Sequence, residues 1–257
     1  MAMDTLNWFD PEDESPSVIR PELQDKQGDR LPPNLLVIFA KDVLENLRME
    51  LKLTRSEEDF RFFGGTCGLY LDHSKNIALI EGTIGAPVGV SAIHTAISRG
   101  VMRVFVVGLC GAVDNSLRVG NLVIPVECVR EEGTSFHYIP SDKLAVPDIE
   151  MQQHLETYLA KSARAYRVGK TVSTDAPYRQ TTETELNWRR DGVIGVDMEM
   201  SAVFALCENQ GTASVGLFVV SDAHDLTETI DWKWDRSLFR AALKDAIHLM
   251  LDFAEGH

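Results

Sequence analysis

Apolar residues recur along this chain of 257 residues in two rhythms. One is the short, nearly unbroken apolar run that suits a strand buried on both faces. It appears as NLLVIF from Asn34, VMRVFVVG from Val101, NLVIPVECV from Asn121, KTVST from Lys170 and GLFVVSD from Gly216. The other is helical spacing, in KDVLENLRMEL from Lys41, GVSAIHTAISRG up to Gly100, residues 148–165, MSAVFALCENQG up to Gly211 and the tail from Leu238 to Phe253. FRFFGGTCGLYLD and NIALIEGT read as two strands around a polar turn at His73 to Asn76. A helix that feeds directly into a run such as VMRVFVVG is the βαβ pattern of a covered sheet. The expectation is one α/β domain over residues 34–257, with a central mixed, largely buried β-sheet flanked by helices. Residues 1–33, acidic, proline-containing and without period, form an N-terminal arm laid over the body or over a partner subunit, or else stay disordered.

Charge narrows the partners. The formal net charge of -14 argues against a broad nucleic-acid or anionic-membrane surface, since both need clustered Lys and Arg, and leaves small ligands open. Cys67, Cys110, Cys128 and Cys207 are scattered without a CxxC pair and read as reduced core thiols. The first sixteen residues lack the basic-then-apolar order of a signal peptide, and no apolar run approaches the roughly 20 residues of a membrane span. A cytoplasmic location is the expectation.

Several stretches carry candidate chemistry. GLCGAV at 108–113 fails the GxGxxG fingerprint, and neither it nor EGTIGAPVG ends in the GK[ST] of a Walker loop. What remains is a pair of glycine turns after strands, which either admit a ligand close to the backbone or simply allow tight turns. In GVDMEMSAV, Asp197 and Glu199 precede a helix, where a carboxylate complements the helix terminus for under about 1 kcal/mol. The same group offers two oxygens to a vicinal diol and would grip both hydroxyls of a ribose, with Met198 as an apolar floor. LFVVSDAHDL brings Asp222 to the carboxyl end of an apolar strand, the place where ligands gather in open α/β sheets, although Ser-Asp there is also an ordinary helix cap. His224 and Asp225 follow it, but no HxH or HExxH spacing occurs, so no metal is assigned. Cys110 reads as a core thiol rather than a nucleophile.

EGTIGAPVG, VVGLCGAVDNSLRVGNLVIP, VREEGTSFHYIP, STDAPYRQT, GVDMEMSAV and VVSD, in this order, resemble the nucleoside phosphorylase superfamily, which includes uridine phosphorylases and purine nucleosidases. The resemblance runs from about Asn34 to the last helix. It implies a nucleoside phosphorylase-like fold, a small-molecule nucleoside as substrate, no cofactor beyond phosphate as a possible co-substrate, and a homo-oligomer, dimer or hexamer. It also implies that Glu199 takes the ribose hydroxyls, that Met198 packs on the sugar, and that Asp222 acts as the catalytic acid at N7 of a purine. Cys110 and Gly111 would line the edge of the base, with Phe136 and Tyr178 as its walls. The Gln-x-Arg pair with which uridine-specific members read uracil is not reproduced in YRQTTET, which favours a purine.

The departures from the family pattern fall on the acceptor pocket, expected at Thr83, Gly85, Val106 and Leu109. Phosphorylases of this kind hold phosphate with an Arg in a GDPxR turn, an Arg on the strand equivalent to VFVVG and an Arg lent by a neighbouring subunit. This chain has FAKDVL at the turn, Val106 on the strand and Glu58 opposite the lent Arg, while Leu109 stands for the usual Ser or Thr. Lys41 and backbone amides alone would be left to meet an anion, without the strong bidentate guanidinium contacts. The nucleosidases also lack the strand Arg, and AMP nucleosidases resemble VFVVGLCGAV and NLVIPVECVREEGTS. The Glu-containing first turn with which methylthioadenosine nucleosidases position water is nevertheless absent, with Asp42 and Glu45 as the nearby substitutes. The reading is N-glycosidic cleavage with water favoured over phosphate as acceptor. Phosphorolysis and a noncatalytic nucleotide-binding module on the same fold are the alternatives.

Overall fold

Side chains of the apolar runs alternate between two packed layers, as strands covered on both faces require. In β1, Asn34–Ile38, Leu35 and Val37 join one layer while Leu36 and Ile38 join the other. The computed structural model describes residues 15–23, 29–162, 164–226 and 233–257.

After β1 the chain makes a single helical turn, α1, Leu44–Leu47, where the spacing of KDVLENLRMEL predicts a longer helix. Asp42 and Lys52 take left-handed backbone angles (φ 58° and 55°), which interrupt a helix on either side. The predicted strand FRFFGGTCGLYLD is likewise divided, into β3, Phe60–Phe62, β4, Gly65–Cys67, and β5, Leu69–Asp72, preceded by the short β2, Thr54–Arg55. β3 and β4 form a separate hairpin, and β5 alone of the three runs antiparallel to β6, Ile77–Glu81, across the predicted polar turn. Helix α2, Ala86–Ser98, then delivers the chain to β7, Arg103–Ala112.

The remaining elements are β8, Leu122–Glu131, α3, Ile149–Lys161, β9, Tyr166–Thr174, α4, Thr182–Arg190, and β10, Val193–Asp197. They are followed by α5, Met200–Asn209, β11, Ala213–Ala223, β12, Lys233–Trp234, and α6, Arg236–Glu255. Helix α4 and strand β10 were not anticipated from the sequence. The strand order is β12-β11-β8-β9-β10-β7-β1-β6-β5-β2, and β11 also pairs in parallel with β7. That extra pairing closes β7, β11, β8, β9 and β10 into a ring, while β1, β6, β5 and β2 continue from β7 as an open sheet. Parallel and antiparallel pairs coexist, so the expected mixed α/β sheet is present. Helices α2 and α5 cover one layer, and α1, α3 and α6 the other.

In the described part of the arm, Pro21–Leu23 makes one 3-10 turn against α2. Buried Leu31 donates its amide to the carbonyl of Arg99 at 2.9 Å, and the Arg99 guanidinium donates to the carbonyl of Asp29 at 2.8 Å. Residues 1–14 and 24–28 of the arm lie outside the described residues. No helix among the described residues is long and apolar enough to cross a membrane.

Candidate functional site

Strands β7, β10 and β11 end side by side, and their carboxyl ends open onto a cavity of about 560 Å³ that also meets Phe39 just beyond β1. That volume lies in the range of small-ligand sites, and the carboxyl ends of strands are where such sites form in α/β sheets. A larger depression of about 840 Å³ lies at the amino ends of β1 and β7 and between β5 and β6, around Asp29, Asp59, Asp72 and Arg99. Of the residues given candidate chemistry from the sequence it contains Glu58 alone, so the smaller cavity is the candidate site.

Asp222, Glu199, Met198, Cys110, Gly111, Tyr178 and Leu109, far apart in sequence, all line this cavity. Asp222 sits at the end of β11, where Ser221 donates its hydroxyl to Asp222 Oδ1 at 2.5 Å. A Cβ on Gly111 would stand 3.2 Å from Asp222 Oδ2, so the glycine lets the carboxylate lie against the end of β7. Glu199 is buried at the start of α5, and its Oε1 accepts the Gly85 amide at 2.6 Å. Gly85 precedes α2 with φ 103°, a conformation that favours glycine and turns this amide towards the carboxylate. Burial, and then the neighbouring Asp197 charge, push the Glu199 carboxyl up to about 8.

Asp197 has a different surrounding. Its Oδ1 accepts the Ser173 hydroxyl at 2.6 Å, and its Oδ2 accepts the amides of Glu199 at 2.8 Å and Met200 at 2.7 Å. The carboxylate thus satisfies the amino end of α5 and ties it to β9, and its burial raises its pKa against these three donors. Cys110 is buried, and burial pushes its thiol well above the ordinary range, so a neutral thiol faces the cavity.

The residues assigned to the acceptor side are placed differently. Val106 lies in mid-strand between Val37 and Gly216 with no exposure, inside the α2–α5 layer and not on the cavity wall. Thr83 and Lys41 do not line the cavity either, and Gly85 reaches it through its amide to Glu199. Phe136 lies in a 3-10 turn with the Arg130 guanidinium 4.1 Å from its ring centroid, away from the cavity wall.

Sequence reasoning missed the contacts at the first turn after β1. The amides of Asp42, Val43 and Leu44, grouped at the first turn, all donate to the Glu81 carboxylate, at 3.2, 2.7 and 2.7 Å. The Phe39 ring lines the cavity and packs against Gly82 and Gly89, where a Cβ would come within 2.5 or 2.8 Å of it. These three amides are held by a carboxylate of the chain. Glu185 on α4 was also missed. It is buried, lines the cavity and accepts hydrogen bonds from Arg189 and Gln180 and from His224, to which the sequence analysis gave no role. The Glu-to-Arg spacing of four residues in ETELNWRR was the available signal.

A sequence profile described as the phosphorylase superfamily matches residues 38–252. Among curated relatives, a guanosine phosphorylase of Halorubrum lacusprofundi is 31% identical over 128 residues, 50% of this chain and 53% of that protein. A DeoD-type purine nucleoside phosphorylase of Clostridium novyi is 23% identical over 213 residues, 82% of this chain and 89% of that protein. The chain spans between 52% and 64% of the length of the first three relatives it matches. Among solved structures, a uridine phosphorylase of Vibrio fischeri superposes with a TM-score of 0.72 at 21% identity, covering 88% of this chain and 90% of that one. An AMP nucleosidase of Bacteroides thetaiotaomicron gives 0.70 at 17% identity, covering 88% of each chain. These structural likenesses establish a shared fold.

Proposed function

The chain belongs to the phosphorylase superfamily, and on that premise we propose that it cleaves the N-glycosidic bond of a purine nucleoside and passes the sugar to water. In this reading Glu199 holds the ribose diol, Met198 packs on the sugar and Asp222 gives a proton to N7. The bond between C1' and N9 breaks with its electron pair going to the base, and the sugar becomes cation-like. A water oxygen then bonds to C1', and its released proton restores Asp222. Neutralising the departing base and holding the sugar beside its acceptor are the two aids such a reaction needs.

The observation that supports water over phosphate is the occupied acceptor side. A phosphate needs several donors at once. Here the three grouped amides of the first turn donate to Glu81, the Gly85 amide donates to Glu199, and the Phe39 ring packs against Gly82 and Gly89. Phosphorolysis, the activity named for several relatives, is the reading to be tested against it.

The test is product analysis with adenosine, inosine, guanosine and uridine, each with and without phosphate. Free base and free ribose from the purine nucleosides, at a rate indifferent to phosphate, are expected. Ribose 1-phosphate would replace water by phosphate as acceptor. Ligand-induced thermal stabilisation without turnover would leave a binding module.

A further inference from the structure

Glu185, His224 and Arg189 form a buried cluster to which the reaction above gives no task. Glu185 is 2% exposed. Its Oε1 meets Arg189 Nη2 at 2.8 Å, and its Oε2 meets His224 Nε2 at 2.7 Å and Gln180 Nε2 at 3.1 Å. Among the described residues, the buried side-chain nitrogens and oxygens without a hydrogen-bond partner are Arg189 Nε and His224 Nδ1. Both belong to this cluster. Leaving a buried polar group unsatisfied costs about 1–3 kcal/mol, so a network with two such atoms is one that a further polar group would complete. Glu185, Gln180 and His224 line the cavity and Arg189 does not, so a partner arriving from the cavity reaches His224.

The position of His224 fixes which part of a ligand it would meet. It stands two residues beyond Asp222, both side chains border the same cavity, and C6 adjoins the imidazole ring edge that carries N7 in a purine. A base with N7 at Asp222 therefore turns its C6 substituent towards His224. The neighbours of the imidazole fix what it reads. An ionised Glu185 only accepts, so His224 Nε2 carries the hydrogen and donates it. In the neutral tautomer that donates from Nε2 to Glu185, Nδ1 carries a lone pair. A lone pair attracts an exocyclic amino group and repels a carbonyl oxygen.

We propose that His224 is a specificity-determining residue that selects a 6-aminopurine over a 6-oxopurine, with Glu185 as the positioning residue that sets its tautomer. The proposal rests on the purine-nucleoside reading above. His224 is held through one ring nitrogen, so a tilt about Cβ–Cγ brings Nδ1 to the base while Nε2 keeps its carboxylate.

The experiment compares kcat/KM for adenosine and inosine in the wild-type protein, His224→Phe and Glu185→Gln, with thermal melts to show that each variant folds. The wild type should favour adenosine about tenfold or more, the scale of a buried hydrogen bond made to one base and refused to the other. His224→Phe should bring the ratio close to one. Glu185→Gln can donate its amide hydrogen to Nε2, place the ring hydrogen on Nδ1 and move the preference towards inosine, a reversal that loss of structure would not produce. A wild-type preference for inosine, no preference, or a ratio unchanged in both variants would overturn the proposal. If no nucleoside is cleaved, the enzymatic reading fails separately, and calorimetric binding of free adenine against hypoxanthine to the same three proteins decides this one by the same ratios.

Discussion

Of the carboxyl groups that border the cavity, Asp222 and Glu199 are assigned chemistry that needs opposite charge states. Asp222 must carry a proton to give to the base, whereas Glu199 grips two hydroxyls best when ionised and able only to accept. Because burial and Asp197 push Glu199 up to about 8, its ionised fraction grows as pH rises through neutrality. KM for a purine nucleoside should therefore fall between about pH 7 and 9 in the wild type. In Glu199→Gln, KM should be higher and flat over that range. Stability should respond in the opposite sense. A carboxyl whose pKa is higher folded than unfolded contributes most below its unfolded value near 4.5 and loses that contribution as pH rises towards about 8. The difference in Tm between wild type and Glu199→Gln should accordingly move against the wild type with increasing pH, and a pH-independent difference would contradict the assignment. For Asp222→Asn, turnover should fall roughly 10²- to 10⁴-fold, as for loss of a general acid, with a melt close to wild type. Near-native turnover would remove Asp222 from the reaction.

Helix α5 begins at the site, so its amino end is where local structure and chemistry meet. Asp197 holds two amides there and the Ser173 hydroxyl of β9. Asp197→Ala would leave these buried donors unsatisfied, at a cost of about 3 kcal/mol or more. For a chain of this size that lowers Tm by about 6–12 °C, which differential scanning calorimetry would detect; a shift under 2 °C would mean that water or a neighbour replaces the carboxylate. By position alone Asp197 and Glu199 were equivalent, since both precede an apolar helix, and the family resemblance singled out Glu199. In the fold both border the cavity, but Asp197 is tied to Ser173 of β9 and the first amides of α5, whereas Glu199 accepts the Gly85 amide. Long elements with a steady period, such as α2, α5 and β7, were legible because each buries one continuous surface. Helix α4 was not, because its buried side chains among nine residues are Glu185 and Trp188, too few for an apolar stripe. The helix predicted from Lys41 fails for the converse reason: Glu81, brought from β6, takes the amides of Asp42, Val43 and Leu44 and fixes a turn. Local period cannot report a partner 37 to 39 residues away.

At the scale of the molecule, closure of β7, β11, β8, β9 and β10 into a ring gathers residues from 109 to 224 at one end of the strands. The class of fold was readable from the alternation of runs and helices, but this closure depends on the parallel pairing of β7 with β11, which no local pattern encodes. The same end collects acidic groups: Asp197, Glu199, Asp222 and Glu185 all border the cavity, on a chain of formal net charge -14. Arg189 beside Glu185 offsets one of them. With a formal net charge of -14, the chain as a whole repels an anionic ligand and not a neutral nucleoside. At low ionic strength the reaction should therefore favour adenosine over adenosine 5'-monophosphate. Added salt should raise the kcat/KM of the nucleotide relative to that of the nucleoside, because the Debye length shortens from about 30 Å at 0.01 M to about 10 Å at 0.1 M. The measurement is the ratio of the two values across that range in a chloride salt. A nucleotide preference that weakens with salt would mean that a cationic group governs the approach, reversing the sign that the charge distribution assigns.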